Sequence, residues 1–271
     1  MRVLFIAEIV GKAGVYCVKS VLPGLRTERE IDFVIANGDG ATGGFGIGKN
    51  HAIYLRKLGV DVITGGDQIY FKKDMVAYIE NSSSVLRPAN FSPAAPGRGV
   101  RHFTVNDERV VVISMLGQSG FDRVHASNPF TYLPELAERA RRETPYVIVD
   151  FHAVTTAEKS TMFYRADGEV SAIIGTGTRV QTADAAIMPR GTAVISDAGR
   201  TGSLNSVAGL DPGPEIRKFV SSMPERSADS WETLQLQGVV LELGPDGKAT
   251  KIEPVTYPCK EASSDRTGEG D

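Results

Sequence analysis

One pattern recurs along this chain and restricts its fold more than any other: a short apolar run, a polar turn, then a helical stretch. Val3 to Ala7 stops at Glu8, Ile31 to Ala36 at Asn37-Gly38-Asp39-Gly40, and Val60 to Thr64 at Gly65-Gly66-Asp67-Gln68. Tyr146 to Asp150 stops at Phe151-His152-Ala153, and Ile173-Ile174 runs into Gly175-Thr176-Gly177-Thr178-Arg179. Runs that are apolar at every position predict strands buried on both faces. Apolar spacing predicts helices over Val15–Arg26, His51–Leu58, Lys73–Glu80, Leu133–Arg142, Thr156–Tyr164 and Glu215–Val220. Strands alternating with helices call for a parallel α/β sheet. Two hairpins add antiparallel pairing: Val100–Val105 with Arg109–Ser114, and Leu234–Leu243 with Ala249–Pro254 across Gly244-Pro245-Asp246-Gly247. The expected architecture is a layered α/β sandwich with mixed sheets over residues 1–257, followed by a disordered polar tail, 258–271.

Two nucleotide-binding folds are excluded on motif grounds. Gly43, Gly44, Gly46 and Gly48 do not match the dinucleotide fingerprint, and no P-loop lysine signature occurs. A net charge of -3 over 271 residues gives no general attraction to nucleic acid. No apolar run reaches the length of a membrane span, so no membrane insertion is expected and the protein is read as cytoplasmic. Cys17 and Cys259 stand far apart and make no disulfide framework; Cys17 reads as a small core residue.

Chemistry-bearing residues gather where the strands end. Glu8, Asp39, Asp67 and His152 are acidic or imidazole groups, and Arg179 is a cation that cannot be deprotonated. Any one of these carboxylates, taken singly, is commonly a helix cap. His51, His102 and His125 lie outside these positions and read as surface residues.

The segments MRVLFIAEIVGKAG, IANGDG, ITGGDQ, LRPANF, VDFHA, IIGTGTRVQTAD and ISDAGRTG follow one another in the chain. Their order resembles the YmdB-type branch of the calcineurin-like metallophosphoesterases, from Met1 to about Pro254. The resemblance implies a four-layer α/β/β/α sandwich of bacterial type, with two-metal phosphodiesterase chemistry at the strand ends. It also implies departures. Glu8 stands where the family has aspartate. Asp39 and Gly40 stand for its glutamate and asparagine, and Asp67 and Gln68 for its asparagine and histidine. Gly177 and Arg179 replace both histidines of its HTH motif, whereas His152 agrees.

These departures set the functional expectation. Gly40 and Gly177 offer no ligand, and Gln68 donates a hydrogen bond but exchanges no proton near neutral pH. Two unit charges ~4 Å apart repel by about 4 kcal/mol at an effective dielectric of ~20, so Arg179 is expected to exclude a metal beside it and to take the place of one ion by neutralising Glu8 and Asp39. The reading is a catalytically inactive pseudoenzyme with no metal, cofactor or catalytic residue, Gln68 being a vestigial position. It would act through a protein partner or as a homo-oligomer, with the loops Phe91–Gly99 and Gly117–Asn128 as contact candidates. Two alternatives stay open. One is a divergent phosphodiesterase with a single Mn, Fe or Zn at the weak candidate ligands Glu8, Asp39, Asp67 and His152. The other is a module that binds a phosphate-bearing ligand through Arg179 without cleaving it.

Overall fold

The computed structural model describes residues 1–121 and 124–259. The first half runs β1 (Arg2–Ile6), β2 (Glu8–Ile9), α1 (Gly11–Glu28), β3 (Phe33–Asn37), α2 (Lys49–Lys57), β4 (Val62–Thr64), α3 (Lys73–Asn81), β5 (Val85–Leu86), β6 (Val100–Val105) and β7 (Glu108–Leu116). The second runs α4 (Pro129–Arg141), β8 (Tyr146–His152), α5 (Thr156–Ala166), β9 (Ala172–Thr176), β10 (Ala186–Ile187), β11 (Ala193–Ile195), β12 (Arg200–Ser203), α6 (Pro212–Ser221), β13 (Leu234–Leu243) and β14 (Ala249–Pro258).

The strands form two mixed sheets. One has the order β2-β12-β13-β1-β3-β4-β5, with β14 also paired to β13; the second has the order β10-β11-β9-β8-β7-β6. Within the first, β1, β3, β4 and β5 are parallel and β13 joins β1 antiparallel. Within the second, β7, β8, β9 and β11 are parallel and β6 and β10 are antiparallel edges.

Strand alternation explains the layering, because successive side chains point to opposite faces. On β8, Ile148 turns toward the first sheet and joins Phe5, Ile35 and Leu241 in the core between the sheets. Its neighbours Val147, Val149 and Phe151 turn the other way and pack under Leu133, Ala137 and Met162 of α4 and α5. On β1, Leu4 and Ile6 face α1, α2 and α3 through Val18, Leu55 and Met75. Three cores between four layers make the α/β/β/α sandwich, and they account for the strands being apolar throughout.

The stretch Gly11–Gly14 is the first turn of α1: Gly11 N–H donates to the Gly40 carbonyl (2.9 Å) and Asp229 accepts from Lys12 N–H (2.6 Å). An acceptor more than two hundred residues away thus supplies the cap that no neighbouring side chain offers. Arg200–Ser203 is a strand that pairs with β2 and β13. Apart from Pro258 and Cys259, the expected polar tail lies outside the described residues. Among the described residues no helix is long and apolar enough to cross a membrane.

Candidate metal centre at the strand ends

Parallel strands bring their C-terminal ends to one edge, so β1, β3, β4, β8 and β9 deliver Glu8, Asp39, Asp67, His152 and Arg179 to the same place. Asp39, Asp67 and His152 each offer a donor atom, and these atoms lie within 4.8 Å of one another. His152 Nε2 stands 3.4 Å from Asp67 Oδ1 and 3.8 Å from Asp39 Oδ2. Asp39 is held in place by the N–H groups of Gly66 (2.6 Å) and Gln68 (3.1 Å). Gly66 is required here, because a Cβ on it would lie 2.5 Å from His152 Nε2. A stacked Phe121 ring, 5.9 Å centroid to centroid, lies against the imidazole. The loop carrying Phe121 is anchored by Glu158, which accepts from the N–H groups of Gln118 (2.6 Å) and Ser119 (3.2 Å).

A buried network beneath the donors sets the orientation of His152. Asp150 accepts from Thr176 Oγ1 (2.7 Å), Asn37 Nδ2 (2.8 Å) and Thr64 Oγ1 (2.5 Å), so it ties β3 and β4 of one sheet to β9 of the other. Thr176 has a single hydroxyl proton, and that proton goes to Asp150. Its lone pairs therefore accept from Asn37 (3.2 Å) and from His152 Nδ1 (3.0 Å). His152 thus carries a proton on Nδ1, and Nε2 is turned toward the two carboxylates. Asp150, Thr176, Asn37 and Thr64 were missed in the sequence reading. The signal was present for Asp150, two residues before His152 and so on the same strand face.

Arg179 lies on the other side of the cluster. Its backbone is left-handed, at φ 58°, a conformation non-glycine residues seldom adopt and one that often marks a functional position. The loop is pinned on both sides. Arg200 donates to the Arg179 carbonyl (2.8 Å), and Asp197 accepts from Thr178 N–H (2.9 Å). Asp197 also forms a fully buried ion pair with Lys159 (3.0 Å). From this loop Arg179 contacts Glu8 Oε1 through Nε (2.9 Å) and a terminal nitrogen (2.7 Å). It also donates to the carbonyls of Gly44 (2.8 Å) and Ala208 (3.3 Å). Gly40 leaves room for this: a Cβ there would lie 2.9 Å from the same terminal nitrogen. A Cβ on Gly177 would lie 3.3 Å from His152 Nε2. Ser114 donates to the Gly65 carbonyl across the sheets (2.8 Å).

The electrostatics separate the site into two halves. Glu8 pairs directly with Arg179, Asp39 and Asp67 lie against the imidazole, and the Arg179 guanidinium also feels both of those carboxylates. Burial pushes the Asp39 carboxyl up to about 7, with the Asp67 and Glu8 charges adding and His152 opposing. Burial pulls His152 down, but its hydrogen bond to Asp67 and the Asp39 and Glu8 charges outweigh this and hold it up at about 9. Two carboxylates and one oriented imidazole nitrogen are a donor set that suits Mn, Fe or Zn. Glu8 Oε2 and Gln68 Oε1 are buried without a hydrogen-bond partner among the described residues. Those unsatisfied acceptors fit a site built to receive a cation or its ligands. The cluster is therefore a possible metal site, which corrects the expectation of none. Arg179 was expected to exclude a metal beside it and to neutralise Glu8 and Asp39; its direct partners are Glu8 and two carbonyls.

The family model described as YmdB-like protein matches residues 4–255. A relative from Bacillus subtilis (strain 168), named 2',3'-cyclic-nucleotide 2'-phosphodiesterase, is 36% identical over 256 residues, spanning 94% of this chain and 96% of the relative. The crystal structure of a novel phosphatase from Mycoplasma pneumoniae superposes with a TM-score of 0.90 at 32% identity, covering 96% of this chain and 94% of that one. A hypothetical protein from Thermus thermophilus superposes with a TM-score of 0.89 at 31% identity, covering 96% of this chain and all of that one. Together with the gathered donors, these relatives overturn the expectation of an inactive pseudoenzyme. The alternative of a divergent phosphodiesterase with a single-metal site is the reading these findings favour.

Proposed function

This chain belongs to the YmdB-like protein family, and on that premise we propose that it is a metal-dependent phosphodiesterase with a single-metal site at Asp39, Asp67 and His152. The observation that carries the reading is the orientation of His152. Its Nδ1 proton is committed to Thr176, and Nε2 faces two carboxylates. A bound Mn, Fe or Zn would supply Lewis acidity toward a phosphoryl oxygen.

The remaining residues favour one ion over two. The resemblance implies ligands at the positions of Gly40 and Gly177, and neither has a side chain to give. Arg179 fills the space next to Gly40 and already balances Glu8. We read its guanidinium as the substitute for a second ion. Gln68, where the resemblance implies a histidine, can orient a substrate oxygen through hydrogen bonds but cannot protonate it. The reaction then depends on a leaving oxygen that departs readily. Phosphodiesters inside a strained five-membered ring meet that demand, because opening the ring releases strain. The 2',3'-cyclic nucleotides named for the Bacillus subtilis relative are of this kind, and we take them as the substrate class.

The test uses chelator-treated protein assayed with 2',3'-cyclic AMP and with bis(p-nitrophenyl) phosphate. Turnover should vanish on chelation, return with manganese at one ion per chain, and fall at least ~10²-fold in His152→Ala. Turnover that survives both chelation and His152→Ala would refute the proposal, as would saturation at two ions.

A further inference from the structure

The two cysteines, remote in sequence, meet in the fold. Cys17 lies in the buried face of α1, and Cys259 follows β14, half-exposed, where its N–H donates to the Leu234 carbonyl (2.8 Å). Cys259 packs against the same core that holds Cys17, Leu234 and Leu236. The two thiols are close enough to act on each other's protonation. Cys17 also lies against the backbone of Gln235 and Cys259 against that of Leu236, adjacent residues of β13. The thiols therefore sit side by side over one strand. Forming a disulfide brings the two sulfurs to about 2.05 Å.

We propose that Cys17 and Cys259 are a thiol pair that a small-molecule disulfide such as glutathione disulfide oxidises to an intramolecular bond, with Cys259 attacking and Cys17 resolving. The roles follow from surroundings. Cys259 is the more accessible thiol. The neighbouring Cys17 thiol lowers its pKa most, burial opposes, and contacts from the Ser20 hydroxyl and the Leu236 backbone add to the lowering. Cys17 is raised by Cys259 and by burial, which suits it to act second. The Cys259 thiolate attacks one sulfur of the reagent and releases one glutathione thiolate. Cys17 then loses its proton, attacks the Cys259 sulfur of the mixed disulfide and releases the second glutathione. Two protein thiols are oxidised and one glutathione disulfide is reduced to two thiols. The bond ties the end of β14 to α1 and closes a loop spanning most of the chain, which restricts the unfolded state.

The experiment treats the full chain with glutathione disulfide, alkylates residual thiols and maps peptides by mass spectrometry alongside Tm. The expected result is loss of two hydrogens, a peptide linking Cys17 to Cys259, and a rise in Tm that dithiothreitol reverses. Cys17→Ala should stop at one glutathione on Cys259, and Cys259→Ala should leave Cys17 unmodified. The proposal is overturned by a lasting glutathione adduct on wild-type Cys259, by Cys259-linked dimers, or by two thiols that remain alkylatable throughout.

Discussion

Arg179 meets Glu8 with two nitrogens on one carboxylate oxygen, at 2.9 and 2.7 Å; Glu8 is buried and the Arg179 side chain is only 11% exposed. Removing one partner of such a pair leaves the other charge uncompensated. Arg179→Ala should therefore lower unfolding stability by about 3–5 kcal/mol in urea titration. Arg179→Met with Glu8→Leu together should recover most of that loss, because neither charge is then stranded. A double variant no better than Arg179→Ala would show that the pair is not the source of the effect.

Gly40 belongs to the same arrangement, since a Cβ there would lie 2.9 Å from the Arg179 guanidinium and 3.0 Å from Glu8 Oε1. Gly40→Ala should destabilise the wild type more than it destabilises Arg179→Ala. Residues in direct contact couple by roughly 0.5–3 kcal/mol, and about 1 kcal/mol is expected from a four-member mutant cycle. Additive costs would mean that the glycine is kept for Glu8 and the nearby Ile9 carbonyl and not for Arg179.

Much of this site was legible in the sequence, and the part that was not has a physical reason. Apolar runs broken by glycine mark parallel strand ends, so Asp39, Asp67 and His152 could be placed together before any coordinates. Asp150 was hidden inside an apolar run, and only its two-residue spacing from His152 betrayed it. Lys159 resembled an ordinary helical surface charge; its buried pairing with Asp197 depends on a loop far along the chain. The contact of Cys17 with Cys259 is likewise invisible to local patterns. The functional error came from giving the substituted positions more weight than the three donors that remain together.

Thr176 links His152 Nδ1 to Asp150, at 3.0 and 2.7 Å. Replacing a partner that orients a ligating histidine typically costs 10–100-fold in metal affinity. Thr176→Val should weaken manganese binding by about that factor in calorimetric titration, and Thr176→Ser should restore it. A Thr176→Val variant that loses stability but keeps its Kd would reduce the residue to a packing role.

Protonation of the metal-free site gives a pH signature. Both Asp39, raised to about 7 from 3.8, and His152, raised to about 9 from 6.5, hold protons more tightly when folded. Tighter proton binding stabilises the folded state below the unfolded pKa, and this contribution fades as pH climbs through the folded pKa. For His152 the window runs from 6.5 to about 9. Chelated protein should lose ~3 kcal/mol across it, and Asp39 adds a further decline at lower pH. His152→Gln should flatten the alkaline part. A stability that is level or rising over this window would contradict the assigned ion cluster.

Gln68 makes the sharpest chemical prediction. Its backbone N–H supports Asp39 at 3.1 Å, so the main chain serves the site whichever side chain stands there. The side chain has no proton to give a departing alkoxide. Rates should therefore fall steeply as the leaving alcohol becomes less acidic, with aryl esters and strained cyclic phosphates far ahead of unstrained alkyl diesters. Gln68→His introduces a group that can transfer a proton, and general acids contribute about 10²–10⁴-fold. The gain should appear on alkyl diesters and be nearly absent on p-nitrophenyl esters, whose leaving group needs no proton. Equal gains on both substrate types would mean that the histidine helps by binding, and a flat leaving-group dependence in the wild type would mean that another residue already donates the proton.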